Sequence, residues 1–354
     1  MIKVCVYAIC KNEAKFIDRW VDAMSESDEI FVLDTGSEDE SVEMLRARGV
    51  TVHEEKIVPW RFDAARNRSL EMVPMDCDIC VCVDLDEIFT PGWRREVERA
   101  WTDGAERLEY RYVWSFNPDG TEGVVFWISK IHARRGFRWV NPVHEVLCCD
   151  HEPKTASVAG FQAEHHADQQ KSRAQYLPLL ELAVAEDPHN DRNMHYLGRE
   201  YMFHGMWREC IEMLSRHVSM PEAMWADEKC ASYRFMARAY ENLGNMTEAE
   251  RCLYAAVAQA PHLREPWVDM AGFYYRLEDW CGVTWCAERA LRITERPRTY
   301  ITEAESWGAL PYDLGSLGYY YMGLKDKAAG FARKAQELAP DDERIRKNLE
   351  FMLT

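Results

Sequence analysis

A change of period near residue 170 constrains the fold more than any other feature of the sequence. Beyond it the pattern is helical and repeats: Tyr233, Tyr240 and Ala256 recur 34 positions on as Trp267, Tyr274 and Ala290. A later copy runs through Tyr312, Tyr319, Gly323, Ala328, Ala335 and Pro340, and an earlier one through Leu197, Gly198, Tyr201 and Gly205. Tyr176, Leu180, Ala183 and Pro188 read as the second helix of a partial unit. Small residues stand where helices cross, large ones fill the grooves, and Pro closes the unit. One such hairpin cannot bury its apolar stripe alone, so neighbours must stack. The 354 residues also exceed the ~250–300 at which a single core stops growing. Two domains are expected, 1–168 and 169–354.

Before residue 170, short apolar runs alternate with helical stretches. IKVCVYAIC reads as a strand, and AKFIDRWVDAM has helical spacing at Phe16, Ile17, Trp20, Val21 and Met24. EIFVLD is a second strand, followed by TGSEDESVEMLRARG, where Ser37 and Glu40 have capping-box spacing and Gly49 suits a helix stop. VTVHEE is a third strand, RFDAARNRSLEMV a helix, and DICVCVDLDEIF a fourth strand. This alternation predicts βαβ units and a largely parallel sheet, whose ligands bind beyond the carboxyl ends of the strands. Asn12 and Glu13, Asp34, and the Asp84/Asp86 pair are therefore expected on one rim.

The fourth run ends in Asp84, Asp86 and Glu87. Three carboxylates so close repel each other, and burying them unpaired is costly, so a positive partner is expected. Alone, an Asp-x-Asp after an apolar strand reads as a solvated strand end. Lys11-Asn12-Glu13, Asp34-Thr-Gly-Ser and Ala65-Arg66-Asn67 mark neighbouring ends with polar clusters, and together they indicate a ligand site.

Composition narrows the class. A net charge of −17 makes nucleic acid an unexpected partner, because phosphate-tracking surfaces are basic. MIKVCVYAIC lacks the features of a secretory leader, and no apolar run approaches the ~20 residues of a membrane span. A reduced, cytoplasmic protein is expected, with its twelve cysteines packed as small apolar groups. Cys77-x-x-Cys80 has zinc-like spacing but no second pair follows it, so strand packing is the preferred reading there and at Cys148-Cys149.

Two resemblances sharpen the picture. The 34-residue period resembles the tetratricopeptide repeat. Spacers interrupt it around ERPRTYITEAESWG, so a short, irregular array packed on the first domain is expected. ICKNEAKFIDRWV, FVLDTGSEDES, WRFDAARNRSLEM and VDLDE together resemble the family-2 glycosyltransferases of the GT-A fold. The fold class implied is an α/β GT-A domain, with a Rossmann-like mixed sheet, followed by an all-α tetratricopeptide-repeat-like domain. By this resemblance Ala8, Asn12, Glu13 and Asp34 hold the base and ribose of a nucleotide-sugar donor, and Arg66 approaches its diphosphate. Asp86 ligates Mn²⁺ or Mg²⁺ directly and Asp84 through ribose or water. A divalent cation also suits the chemistry, since it stabilises a departing diphosphate and answers the repulsion of the acids.

An inverting transfer needs a base for the acceptor hydroxyl. RWVNPVHEVL resembles the Trp…His-Glu stretch of family-2 enzymes related to lipopolysaccharide core assembly, with His144 and Glu145 in a strand or its entry. Glu145 is the base candidate, Glu87 competes with it, and His144 is a candidate contact to diphosphate or metal. The bland alternative for Glu145 is a surface pair with Arg134 or Arg135. In EHHADQQKSRAQYLPLL, His165 is the candidate late histidine of the metal shell, with Lys171 and Arg173 as phosphate neutralisers or helix caps. Tyr110, Tyr112 and Trp114 alternate as in a strand, and Trp114 and Trp127 are candidates to line an acceptor pocket. The expected activity is a metal-dependent, inverting, hexosyltransferase-like transfer to a protein or peptide acceptor presented by the repeats, through which the chain could also dimerise. The competing readings are a lipopolysaccharide or other glycan acceptor, and an inactive interaction scaffold. A nucleotidyltransferase is disfavoured, because ICKNEAKF has no glycine for a phosphate loop.

Overall fold

The computed structural model describes residues 2–102, 104–117, 120–168 and 175–353. Lys171 and Arg173 lie outside the described residues, as does the tip of the turn after Asn117. The chain divides into two compact units, Met1–Ala183 and Val184–Thr354.

The first unit begins with the predicted alternation: β1 (Val4–Cys10), α1 (Ala14–Met24), β2 (Glu29–Asp34), α2 (Ser41–Ala47), β3 (Thr51–Glu54), α3 (Phe62–Met72) and β4 (Ile79–Cys82). It continues with β5 (Glu87–Phe89), α4 (Trp93–Ala100), β6 (Arg107–Val113), β7 (Val125–Ala133), β8 (Phe137–Val140), β9 (Val146–Cys149) and β10 (Thr155–His165), and the boundary between the units falls within α5 (Tyr176–Glu186). Among the described residues, eight strands form one sheet in the order β3-β2-β1-β4-β7-β6-β10-β5, and β8 pairs with β9 separately. β1 to β4 are parallel, whereas β7 runs antiparallel to both its neighbours. The sheet is therefore mixed. Because β2 and β4 flank β1 on opposite sides, the strand order reverses there, which opens a crevice above the carboxyl ends.

The helical spacing of α1 turns Phe16, Ile17, Trp20, Val21 and Met24 into the core, where they meet Val4, Val6, Val81 and Trp93. Each such side chain contributes roughly 1.5–3 kcal/mol by leaving water. On a second apolar cluster Cys5, Cys77, Cys80 and Cys82 pack with Tyr7, Leu70, Phe137 and Trp139. These cysteines are free and buried, as small apolar groups.

Two local expectations are corrected. The fourth strand stops at Cys82, and Asp84 to Asp86 form a turn before β5. The cause is local pairing: the Asp84 N–H donates to Glu87 Oε2 at 3.0 Å, and the Glu87 N–H returns to the Asp84 carbonyl at 2.9 Å. Ser37 is not a helix cap either. Its hydroxyl donates to Asp34 and accepts the Asn12 N–H at 2.8 Å, so α2 starts later with Glu40 at the N-cap. Gly49 does end that helix region, at a φ of 80°.

The second unit contains α6 (Asp191–Phe203), α7 (Trp207–Ser219), α8 (Ala226–Asn242), α9 (Met246–Gln259), α10 (Glu265–Arg276), α11 (Trp280–Leu291), α12 (Ala304–Trp307), α13 (Leu310–Tyr321), α14 (Lys325–Leu338) and α15 (Glu343–Met352). Successive helices pack as the hairpins α6–α7, α8–α9, α10–α11 and α13–α14, with α15 against α14. Left-handed turn residues Gly205, Gly244 and Gly323 close three of them. Glu278 takes that conformation in the fourth, at φ 58°. Asn245 and Asp279 cap the helices that follow two of these turns. No described helix is long and apolar enough to cross a membrane.

Candidate functional site

The site sits in the first unit, at the crevice between β1 and β4. Its centre is Arg66, carried on α3 and only 5% exposed. Nη1 and Nη2 grip the two oxygens of Asp84 at 2.8 and 3.1 Å, and Nε donates to Glu145. The guanidinium also lies over the Trp139 ring at 5.2 Å. Glu145 thus pairs with a buried arginine of the crevice, and the alternative partner Arg134 instead donates to the Val73 carbonyl.

The reciprocal pairing of Asn67 with the Trp139 backbone, 2.8 Å in each direction, docks β8 on α3. Glu145, in the short connection to β9, is set beside the guanidinium. His144 adopts φ 50°, so the backbone is not extended there, and its ring faces Tyr176 at 5.7 Å.

Lys130 is the residue that sequence reasoning missed. From β7 its Nζ reaches Asp84 at 3.0 Å and Glu87 at 2.8 Å. Glu87 is 2% exposed, also accepts from the Tyr112 hydroxyl at 2.6 Å, and gives its other oxygen to the Asp84 N–H. Burial alone would weaken the charge on both Arg66 and Lys130. The carboxylates facing them outweigh it and raise both pKa values well above normal. The same cations overcome the burial of Asp84 and hold its carboxyl well below the usual range. The positive partner demanded by the acids is therefore, for Asp84 and Glu87, protein side chains. Arg66 stands out in the sequence through Ala65-Arg66-Asn67, but the trace of Lys130 is one lysine inside the apolar run VFWISKIHA.

Asp86 stands differently. Its carboxylate is 3.5 Å from His165 Nε2, and its carbonyl accepts the His166 N–H at 2.8 Å. His165 Nδ1 lies 3.0 Å from the Trp114 carbonyl, an acceptor, so Nδ1 carries the proton. Its ring stacks on the Trp114 indole at 4.4 Å. Nε2 then offers a lone pair to a carboxylate, unless the ring is charged. Burial opposes that charge, but Asp86 raises the pKa of His165 above normal. Either a proton or a cation suits the gap.

A divalent metal fits this pair by donor chemistry: one carboxylate, one imidazole nitrogen, and a carbonyl behind the ring to orient it. Among the described residues no third ligating side chain completes a set with them. Two protein ligands with the remaining positions left to diphosphate and water is a usual arrangement for an oxygen-seeking cation.

The other candidates are placed as follows. Asp34 closes its own loop, accepting the Gly36 and Ser37 N–H groups at 2.9 Å and the Ser37 hydroxyl. Asn12, at φ 57°, is tied to that loop through Ser37 and the Glu38 N–H at 2.7 Å. Glu13 is buried, and its N–H donates to Ser41 at 2.8 Å. Ala8 is not brought to the rim; its side chain is wholly buried in the core. Tyr110 and Tyr112 are core residues, whereas Trp114 and Trp127 are 48% and 37% exposed.

Residues 5–146 match the family described as glycosyl transferase family 2. Solved structures similar to the helical half are those of MamA, of a thermophilic TPR protein in Thermus thermophilus, and of pilF from Pseudomonas aeruginosa. MamA is 18% identical over 48% of this chain and 89% of its own, with a TM-score of 0.39. The Thermus protein is 19% identical over 50% and 88%, with a TM-score of 0.35. For pilF the figures are 12%, 48%, 70% and 0.39.

Proposed function

We propose, from the glycosyl transferase family 2 domain that this chain carries over residues 5–146, a metal-dependent, inverting transfer of a sugar from a nucleotide-sugar donor to an acceptor hydroxyl. The observation that carries the reading is the Asp86–His165 pair, formed between the turn that follows β4 and the end of β10. Asp86 and His165 would hold Mn²⁺ or Mg²⁺, which neutralises charge developing on the departing diphosphate. The loops joined at Asn12, Glu13 and Asp34 form the base and ribose side of the donor site. Arg66 is the residue through which the diphosphate side and the acceptor side communicate, because it touches Asp84 and Glu145 together.

Glu145 is the general base in this reading. Its side chain is 11% exposed, and the Arg66 guanidinium aims it through Oε1, which leaves Oε2 for the acceptor proton. Glu87 is the weaker candidate, since both its oxygens are engaged and it is buried. Trp114, stacked beside His165, offers a sugar-sized apolar face. The helical unit is proposed to recruit the acceptor, a protein or peptide, since stacked repeats present extended surfaces.

The test is donor hydrolysis across UDP-, GDP-, TDP- and CDP-sugars with and without Mn²⁺, which needs no acceptor. Turnover of one donor that depends on Mn²⁺ and is abolished in Asp86→Asn is expected. Full turnover in that variant removes Asp86 from the metal role. With an acceptor in hand, Glu145→Gln should retain donor binding and lose transfer by ~10²–10⁴-fold; an unchanged rate assigns the base elsewhere.

A further inference from the structure

We propose that the second unit holds a structural divalent transition-metal ion, Zn²⁺ by its ligand chemistry, between Asp191, His217 and Glu228. These residues come from three helices: Asp191 opens α6, His217 lies in the last turn of α7, and Glu228 lies in the first turn of α8. Their ligand atoms all lie within 4.8 Å of one another. His217 is 0% exposed and Glu228 4%. His217 Nε2 is buried, makes no hydrogen bond among the described residues, and stands 3.6 Å from Glu228 Oε2. That is beyond hydrogen-bonding range. Two ligands ~2.0–2.1 Å from a tetrahedral Zn²⁺ are about 3.4 Å apart, so the separation matches shared coordination.

The far side of each buried ligand is also fixed. His217 Nδ1 pairs with the Ser232 hydroxyl at 2.9 Å, and that hydroxyl pairs with His195 Nδ1 at 2.8 Å. One hydroxyl proton faces two ring nitrogens. When it goes to His195, His217 Nδ1 carries its own proton and Nε2 presents its lone pair to Glu228. The Tyr300 hydroxyl donates to the other Glu228 oxygen, leaving Oε2 for the ion. Partners of this kind behind the ligands are what fix ring orientation and basicity in metal sites.

One imidazole and two carboxylates, with no thiolate, suit Zn²⁺, Fe²⁺ or Mn²⁺ and not a soft monovalent ion. The half-buried Asp191 gives the ion its way in from solvent, with a coordination position left for water. Bound there, the ion ties the start of α6 to the α7–α8 corner, and metal binding becomes folding free energy for this end of the array.

The test uses the full chain carrying Asp86→Asn, so that the proposed donor-side ligand is absent, with Co²⁺ as the probe. One equivalent of Co²⁺ with tetrahedral visible absorption is expected, displaced by Zn²⁺, together with a rise in melting temperature on adding Zn²⁺. Adding Asp191→Asn, at the partly exposed ligand, should weaken Co²⁺ binding by at least ~100-fold, and Tyr300→Phe by ~10–100-fold. Helical circular dichroism, recorded below the melting temperature, separates lost binding from lost fold. A parent chain without the Co²⁺ bands and with no Zn²⁺-dependent melting shift overturns the proposal. So does an Asp191→Asn chain that keeps both. Because the readouts are metal binding and melting in a donor-site variant, they stand or fall independently of sugar transfer.

Discussion

Lys130 decides what the acids after β4 mean. It lies 46 positions from Asp84 and 43 from Glu87 in the chain, so no local pattern could pair them. The run of carboxylates was legible, and so were the need for a counter-charge and the presence of Arg66, but not the lysine that completes it. Removing one partner of a buried ion pair leaves the others uncompensated, at a cost of ~3–5 kcal/mol. Lys130→Met should therefore lower the melting temperature sharply. Adding Glu87→Gln should recover part of the loss, since the two side chains are in contact and their effects do not add. Additive losses in the double variant, measured by denaturant unfolding, would assign Lys130 no electrostatic role. Ser37 shows the same limit on a smaller scale. Its capping-box spacing was real, but the Asp34 carboxylate, three residues away, competes for the hydroxyl and wins.

At the scale of elements, long periodic segments were read correctly and their ends were not. DICVCVDLDEIF satisfies a strand pattern throughout, yet Glu87 folds back on the Asp84 amide, and the resulting turn carries the chain from β4 to β5 at the far edge of the same sheet. The extension of the sheet by antiparallel β7 depended on pairing between distant runs, which apolar alternation does not encode. In the helical half the small residues were informative because they mark helix crossings. A Cβ on Gly198 would meet Leu214 side-chain atoms at 2.3 and 2.4 Å. Alanine in a helix interior gains up to ~1 kcal/mol over glycine, whereas overpacking costs ~1–3 kcal/mol, so the clash wins. Gly198→Ala should destabilise the second unit, and Leu214→Ala added to it should cost less than Leu214→Ala alone costs the parent. A stabilised Gly198→Ala protein in thermal melts would show that α6 and α7 part easily.

For the whole molecule, the change of period was enough to announce a mixed sheet followed by a helical region, because sheet and stacked-helix cores need different repeats. The response of the first unit to acid follows from a group the period does not reveal. His132 is fully buried, its Nδ1 held by the Ala133 carbonyl at 2.7 Å and its Nε2 by the Tyr7 hydroxyl at 2.7 Å, with Trp139 donating to Tyr7 at 2.9 Å. Burial brings its pKa down to about 4, against ~6.5 in an unfolded chain. The unfolded state therefore takes up the proton first, and stability falls as pH drops from ~6.5 towards 4, by about 1.4 kcal/mol per pH unit at most. His132→Gln should flatten that part of the profile of denaturant unfolding against pH. An unchanged slope would place the acid sensitivity on another group.

Trp114 lies flat against the imidazole of His165, and this gives the crevice an optical property. An indole in contact with an imidazole loses excitation energy by a path that depends on whether the ring is neutral, protonated or coordinated. The emission of this one tryptophan, taken as the difference from a Trp114→Phe protein, is a built-in gauge of what occupies the pocket.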